Sequence, residues 1–468
     1  ELDLSLLQGE FDCIVLGTGL IECTLSGVLS KEGLRVLVLD KNPYYGGGCA
    51  SLSLSQLYEK NQTKLSDDEL VAKFGGPTGG SDMDKRRWLN NWNIDLIPKF
   101  ITGSGLLVRI LVHTGVTRYL EFQKAAGSYV YKDGKIHKVP SSAGEALNSS
   151  LMGFFEKRRC AKLLQYVSNY RQDNPKTHNG LDCTKVPFKA VCDKFGVDEN
   201  TKSFIGHAVA LYTDDSFMDV VASEVMDRIL LYHSSITNLN GGSPYLYPRH
   251  GLSELPQGFA RQGAVYGATT MLRAPLKEIC YDGETVTGIK LKVSEDEDFE
   301  VKCKYVLADP SYFPEKVKET GKVCRVICLL DAAIPNTDNA HSVQIIIPQK
   351  ESRRSHDIYI VCFSSVHCVT PEGKYLAIIS MELDEKEASV DPMKLFGGVM
   401  KLLGPVSETI VLPSTLYSPK GDGKSDNCFI SESYDGTGHF QSAARNILDL
   451  YQRITGKELE LTNGEQDE

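Results

Sequence analysis

The sequence predicts an α/β fold with an inserted all-helical subdomain. The chain opens with a strand–helix–strand pattern over residues 12–40, strand-like runs recur after residue 285, and helical periodicity dominates residues 149–236. The 468 residues suffice for about two or three domains. The 41% hydrophobic content is enough for a sizeable core.

The opening pattern predicts a Rossmann-like domain. Residues 12–16 are short, apolar and β-branched, as in a buried strand, and residues 35–39 repeat this character. Between them, Gly17 and Gly19 make a turn that leads into a predicted helix over residues 20–31. This arrangement resembles the G-x-G-x-x-G fingerprint of FAD and NAD(P) proteins, in which the third glycine packs the helix on the strand.

The third glycine of this fingerprint is replaced by Glu22. A carboxylate there is bulky where close approach is needed. It also brings negative charge to a helix N-terminus that would otherwise attract phosphate. Asp40 occupies the position of a ribose-binding acid, but an acid that ends a strand is also an ordinary turn residue. The sequence therefore predicts an FAD/NAD(P)-type fold and no cofactor.

The remaining chain divides into a discontinuous α/β domain and a helical one. We predict a large domain over residues 1–125 and 238–445, a mainly helical subdomain over 126–237, and a C-terminal helix end and acidic tail over 446–468. Residues 61–91 are predicted to be a loop-rich insertion with glycine breakers. Predicted helices span residues 150–171, 188–195, 200–212, 219–236 and 439–454, and predicted strands span 128–131, 135–139, 285–293, 301–308, 323–330, 343–347, 358–362 and 375–381.

Composition narrows the function classes. The net charge of −10 argues against a nucleic-acid partner, which requires a basic footprint. The 13 cysteines are scattered without a CxxC pair, so we expect free thiols in a reducing compartment and no metal site. No signal peptide and no apolar run of roughly 18 to 20 residues is evident. We therefore expect a cytoplasmic protein.

Long motifs spread along the chain resemble those of the Rab GDP dissociation inhibitor family. The match runs nearly from end to end. The matching segments are residues 17–23, 42–47, 92–100, 117–119, 151–159, 243–248, 254–261, 344–349 and 433–435.

This resemblance implies a non-enzymatic carrier. Members of the family use an FAD-type fold without FAD, bind GDP-bound prenylated Rab GTPases with their geranylgeranyl lipid, and move them between membranes and the cytosol. The resemblance thus implies transient peripheral membrane association, and we expect a monomer. The related Rab escort proteins share several motifs but are usually much longer, so the length favours the inhibitor branch.

The resemblance also implies a platform for the switch regions of the GTPase on the large domain. By motif position, its residues are Tyr45, Glu254, Arg261, Thr269 and Met271. If one continuous helix covers both the glutamate and the arginine, their seven-residue spacing places them on one helix face two turns apart. Without the resemblance, an ordinary helix start with a surface arginine would be the preferred interpretation.

The helical subdomain is expected to shield the prenyl group. Apolar character on the predicted helices selects Leu163, Val167, Val209 and Leu230 as lining residues, although plain bundle core is the alternative for each. Leu163 and Val167 belong to a predicted apolar face of the 150–171 helix that also includes Phe155.

The sequence departs from the family pattern in three places: residues 90–91, the loop with Leu239 and Gly242, and the segment 75–84. Asn90–Asn91 replaces a usual Arg-Asp pair, and either Arg86 or Arg87 could supply the missing basic contact. In the loop implied to engage membrane or receptor, Leu239 and Gly242 stand where basic residues are usual. Tyr245 of this loop matches the family pattern. The segment 75–84 is longer than the family pattern leads one to expect.

Two other functions remain open from the residues alone. An escort protein would present unprenylated Rab to a geranylgeranyl transferase. A flavin-dependent oxidoreductase would use the same fold with FAD bound, in spite of Glu22.

Overall fold

The computed structural model describes residues 4–61, 63–77, 79, 81–295 and 297–461. Its strands are β1 (Phe11–Leu16), β2 (Val36–Asp40), β3 (Ser51–Leu52), β4 (Ile94–Asp95), β5 (Ile101–Thr102), β6 (Phe122–Lys124), β7 (Gly127–Lys132), β8 (Lys135–Lys138), β9 (Tyr245–Pro248), β10 (Thr269–Leu272), β11 (Leu276–Asp282), β12 (Thr285–Lys292), β13 (Asp298–Ala308), β14 (Val317–Leu330), β15 (Ser342–Ile347), β16 (Ile358–Ser364), β17 (Tyr375–Leu383), β18 (Val406–Pro419) and β19 (Cys428–Ile430). Its helices are α1 (Leu20–Lys31), α2 (Leu54–Lys60), α3 (Asp67–Phe74), α4 (Asp82–Leu89), α5 (Leu106–Thr114), α6 (Ala143–Asn148), α7 (Phe154–Asn169), α8 (Phe188–Phe195), α9 (Glu199–Ser203), α10 (Ala222–Asn238), α11 (Glu254–Val265), α12 (Gln349–Ser352), α13 (Pro392–Met400) and α14 (Gln441–Thr455).

The first sheet has the order β10-β2-β1-β13-β12-β11, and β19 pairs with β13 as well. Strands β10, β2, β1 and β19 run parallel to one another and to the second half of β13, whose first half pairs antiparallel with β12. The carboxyl ends of the parallel strands therefore meet at one edge, where ligands bind in open α/β sheets. The predicted β1–α1–β2 opening and α/β class are confirmed.

The second sheet has the order β18-β14-β17-β16-β15-β7-β8. Its strands pair antiparallel except for β15 and β7, which are parallel. Strand β18 was not predicted. Most of its residues are half-buried, and it carries Pro413 in its middle. A proline is tolerated there because β18 is the last strand of this order and pairs along one side only, with β14.

Two helices occupy the segment that the sequence predicted to be loop-rich. Both α3 and α4 begin at a serine whose hydroxyl accepts from the backbone of an acid three residues on, while the acid bonds back to the serine amide. This capping box is a sequence-level start signal that the glycines nearby obscured. The prediction of a loop for residues 61–91 is wrong, and residues 62, 78 and 80 of that range lie outside the described residues.

The helical part of the chain consists of α6 to α10 and a π-helical segment, Phe204–Val209. The predicted range 126–237 also contains β7 and β8, which belong to the second sheet. One continuous helix over residues 200–212 was predicted, but the helix changes to π geometry at Phe204 and ends near Leu211, whose φ is 58°. Within the π segment Gly206 lies against the Phe217 ring, with no room for a side chain.

Helix α1 is buried along almost its whole length. All its residues except Lys31 are buried. It packs on α11 at Gly27, where an added Cβ would lie 3.0 Å from the Phe259 carbonyl oxygen. This close approach holds α11 directly against α1. The acidic tail predicted for residues 462–468 lies outside the described residues.

Candidate functional site

The glycine turn after β1 is filled by Glu22. Gly17 has a φ of 110°, which favours glycine, and its amide donates to the Leu39 carbonyl. The Glu22 side chain is 2% exposed, accepts a 2.5 Å hydrogen bond from Ser431 Oγ, and leaves no room for a Cβ on Gly19. Burial, together with the nearby charge of Asp309, raises the pKa of Glu22 to about 8.

The other groups that a dinucleotide would need already have partners within the chain. Asp40 accepts hydrogen bonds from the amide and the hydroxyl of Thr18, at 2.8 and 2.6 Å. The first amide of α1, that of Leu20, donates to the Tyr434 hydroxyl at 3.1 Å. A cavity of about 430 Å³ remains at this edge. Its glycine end is bordered by carboxyl groups, which do not fit an FAD diphosphate.

The predicted platform residues Tyr45 and Glu254 lie in neighbouring segments. Ser253, which precedes α11, donates its hydroxyl to the Tyr45 carbonyl at 3.3 Å. Both Tyr45 and Glu254 are half-buried, and burial raises the pKa of each side chain. The two side chains therefore belong to one surface at the start of α11.

Arg261 projects from the middle of α11. Its guanidinium carbon lies 4.7 Å from the centre of the Tyr119 ring, and the side chain is exposed. Glu254 and Arg261 share one helix face about 10 Å apart along the axis. The aromatic ring orients the arginine while leaving its donors free for a partner.

Thr269 and Met271 lie on β10, at the end of the first sheet. They pair with Leu37 and Leu39 of β2, are half-buried, and share one face because they are two residues apart. The amide of Arg273, just beyond β10, donates to the Asn42 carbonyl at 3.0 Å. The segments that carry all five platform residues are thus adjacent.

The loop after α10 is tied down in this structure. Lys124 Nζ donates to the carbonyls of Leu239 and Gly241, each at 3.0 Å, and Leu239 packs over Gly103. Gly242 has a φ of 85°. Tyr245 is fully buried in β9 and stacks on Phe100 at 5.2 Å, so it supports the loop from inside and does not present a contact surface.

Position 90 is the last-turn cap of α4. Asn90 is exposed, and so are Arg86 and Arg87 one turn earlier. Arg86 makes only a 3.7 Å contact with Asp67, and both side chains are largely exposed. Basic groups therefore remain available on this helix where the usual pair is missing.

An apolar cavity of about 360 Å³ lies in the helical part of the chain. It is enclosed by α6, α7, the π segment and α10, and it opens to solvent. Of the four predicted lining residues, Val209 and Leu230 line this cavity, whereas Leu163 and Val167 are buried in the core and do not. The α7 residues that line the cavity are Lys157, Cys160, Ala161, Leu164 and Ser168.

The predicted start of α7 is also wrong. The predicted helix began at residue 150 and placed Phe155 on the buried face, but Gly153 caps a helix that begins at Phe154, and Phe155 is 75% exposed. Apolar character alone cannot distinguish the core face of a helix from a face that lines a cavity. The small residues Cys160 and Ala161 were the available signal, because they leave space.

Neither a membrane span nor a metal centre is found in the described part of the chain. No helix there is long and apolar enough to cross a bilayer. Over the same residues, no cluster of three or more His, Cys, Asp or Glu side chains is arranged to hold a metal ion.

The fold is that of the FAD-binding oxidoreductase class. An oxidoreductase from Methanosarcina mazei aligns with a TM-score of 0.56 at 14% identity, over 94% of this chain and 100% of that one. A likeness at this identity shows the fold alone. A Rab GDI from Plasmodium falciparum aligns with a TM-score of 0.86 at 40% identity, over 97% of this chain and 100% of that one.

Sequence comparison identifies the family. The GDP dissociation inhibitor family model matches residues 7–466, and the chain belongs to this family. It is 46% identical over 473 residues to the Rab GDP-dissociation inhibitor of Saccharomyces cerevisiae, covering 100% of both chains. It is 47% identical to a probable secretory pathway GDP dissociation inhibitor of Schizosaccharomyces pombe, over 97% of this chain and 98% of that one. The predicted family is confirmed.

Proposed function

We propose that this protein is a carrier of Rab GTPases. It binds their GDP-bound, prenylated form, slows GDP release, extracts them from membranes and returns them through the cytosol. The observation that carries the proposal is the match, over the full length of both chains, to a relative named Rab GDP-dissociation inhibitor. The chain acts by binding and has no catalytic step, and it works as a monomer with transient membrane contact.

The surface around α11 supports a protein-binding role. Arg261 stands on an aromatic ring, Tyr45 is half-exposed beside Glu254, and Met271 lies half-buried on β10, the strand that follows α11. Arginine, tyrosine and methionine are enriched where proteins bind one another. In the proposed complex this surface contacts the switch regions of the GTPase, and the nucleotide state decides whether they fit.

The apolar cavity supports the lipid-binding role. Its lining is mainly apolar, with Leu164, Val209 and Leu230 among the wall residues. Burial of a geranylgeranyl chain of about twenty carbons is worth at most about 15 kcal/mol, at roughly 0.8 kcal/mol per CH₂. A bilayer gives the prenyl chain nearly the same burial free energy, so transfer from the membrane to the cavity alone is only slightly favourable. Protein contacts at the platform must therefore supply the net driving force.

Binding in solution tests the proposal. Prenylated Rab, loaded with GDP or with GTP and kept soluble with a mild detergent, is titrated with the protein. The rate at which Rab releases a fluorescent GDP analogue is followed in a second measurement. We expect tight binding and slowed release for the prenylated GDP form. Equal affinity for unprenylated Rab would contradict the carrier and favour an escort role.

A cavity-filling variant tests the lipid site. Ala161→Phe places a ring in the cavity and should weaken binding of prenylated Rab, while binding of unprenylated Rab stays as weak as before. Gln165→Phe adds the same ring to an exposed position of α7 outside the cavity. Equal effects of the two variants would show that the cavity does not hold the lipid.

A further inference from the structure

Three large apolar side chains project into solvent beside the cavity. Phe154 is 76% exposed, Phe155 is 75% exposed and Leu147 is 72% exposed. The two phenylalanine rings form an edge-to-face pair with centroids 5.6 Å apart. Single exposed apolar residues are common, but a clustered group of this kind marks an interaction surface.

A hydrogen bond from a side chain to the backbone holds the segments that carry these residues together. Lys157 Nζ donates a 2.6 Å hydrogen bond to the Leu147 carbonyl, so the end of α6 lies against the first turn of α7. Gly153 caps α7, and the two phenylalanines occupy its first two positions. We call Leu147, Phe154 and Phe155 the apolar tip.

Basic residues surround the apolar tip. Lys157, Arg158 and Arg159 follow it directly, and the two arginines are exposed. The nearby acids offset only part of this charge, because one of them, Glu156, pairs with Arg159. Glu156 is 7% exposed and accepts from the Asp198 amide and from Arg159, and Glu145 pairs with Lys138. A local positive patch thus stands out on a chain whose net charge is −10.

The apolar tip adjoins the mouth of the cavity. Lys157 and Ala146 both line the cavity, as do Leu151 and Met152 of the segment that joins α6 to α7. The exposed rings and the interior of the cavity are therefore separated by a single turn of chain.

We propose that the apolar tip inserts into the interfacial layer of an anionic membrane, with the basic residues on the lipid headgroups. This inference deepens the proposed function and rests on it for its purpose: the tip docks the cavity mouth on the bilayer, so that a prenyl chain passes between bilayer and cavity without crossing water. Aromatic rings flanked by lysine and arginine are the composition that binds at such interfaces.

Vesicle binding tests the proposal without any Rab present. Co-sedimentation is measured with vesicles of phosphatidylcholine, with and without phosphatidylserine. Wild type should bind the anionic vesicles only. Phe154→Ser with Phe155→Ser should weaken this binding about tenfold or more, and Arg158→Glu with Arg159→Glu should weaken it most at low salt. Far-UV circular dichroism and thermal unfolding confirm that each variant folds.

Matched controls lie elsewhere on the surface. Met83→Ser removes an apolar side chain that is 78% exposed on α4, and Lys318→Glu reverses an exposed charge at the start of β14. Both should bind anionic vesicles as wild type does. No binding by wild type, or equal binding by the serine variant, would overturn the proposal.

A second measurement separates this inference from the carrier function. The serine variant should bind soluble prenylated Rab with unchanged affinity and extract it more slowly from membranes. If it loses Rab affinity in solution instead, the apolar tip contacts the cargo and the membrane proposal is wrong. If wild type binds no Rab, the carrier function fails, while the vesicle result still decides the proposal.

Discussion

The guanidinium of Arg261 rests on the ring of Tyr119, with 4.7 Å between the guanidinium carbon and the ring centre. Tyr119 belongs to a short 3₁₀ segment after α5, and no sequence pattern pointed to this contact. The ring restricts the long side chain without using its donors. Less conformational entropy is then lost when a partner binds.

Replacing Arg261 with alanine should weaken binding of GDP-loaded Rab. We expect a loss of about 1 to 3 kcal/mol, as for arginines at the centre of interfaces. Tyr119→Leu should cause a smaller loss, because the arginine remains but is less restrained. Titration calorimetry measures both.

Arg35 provides a control for this substitution. Its guanidinium also lies over a ring, that of Phe11 at 4.1 Å, and the residue directly precedes β2 and is no part of the predicted platform. Arg35→Ala should leave Rab affinity unchanged. Unchanged affinity in a folded Arg261→Ala protein would remove Arg261 from the platform.

Glu22 should make stability fall as pH rises. Its pKa is raised from 4.5 to about 8 by burial and by the charge of Asp309. Between these values the unfolded chain has lost a proton that the folded chain keeps, so the free energy of unfolding decreases with pH. Glu22→Gln cannot ionise, so it removes this pH-dependent loss of stability, and its side-chain oxygen can still accept the hydrogen bond from Ser431. In urea unfolding, the free energy of unfolding of the variant relative to that of wild type should increase between about pH 5 and about pH 8. A constant difference would mean that Glu22 is ionised when folded.

Two adjacent leucines of α7 should respond differently to truncation. Leu163 is fully buried in the core, so Leu163→Ala should lower the free energy of unfolding by about 2 to 5 kcal/mol. Leu164 is half-buried and borders the cavity, so Leu164→Ala should cost about 1 kcal/mol or less. Chemical denaturation measures both. Equal losses would mean that the cavity face and the core face are assigned wrongly.

His207 joins the helical part of the chain to the second sheet. Its two ring nitrogens lie 2.7 Å from Asp357 and 3.2 Å from Asp215. Burial alone would lower the pKa of His207, but the two carboxylates outweigh it and raise the pKa above 6.5. This stabilisation is fully present below about pH 6.5 and is lost as pH rises through the folded-state pKa. His207→Gln should therefore destabilise most at acidic pH, as thermal unfolding across pH would show; a pH-independent loss would contradict a charged His207.

Regular elements with strong local patterns could be predicted from the sequence. The helix at residues 188–195 has the predicted bounds, and the β1–α1–β2 opening follows from buried apolar runs around two glycines. The unusual role of Glu22 could also be predicted, because a bulky carboxylate replaces the third glycine of the dinucleotide fingerprint. The structure adds that its carboxyl fills the space beside Gly19.

Other features depend on contacts between distant segments. The π segment forms where His207 meets Asp357, which lies 150 residues away. Strand β18 is half-exposed along much of its length, so its apolar pattern is weak. The predicted start of α7 was about one turn too early, and Phe155, which was assigned to the buried face, lies exposed in the first turn of the helix.

Extraction from membranes tests the central claim most directly. Membranes bearing prenylated Rab, loaded with GDP or with GTP, are incubated with the purified protein, and Rab in the supernatant is quantified. The carrier account predicts strong release of the GDP form and little release of the GTP form. Release of neither form, or of both equally, would contradict it.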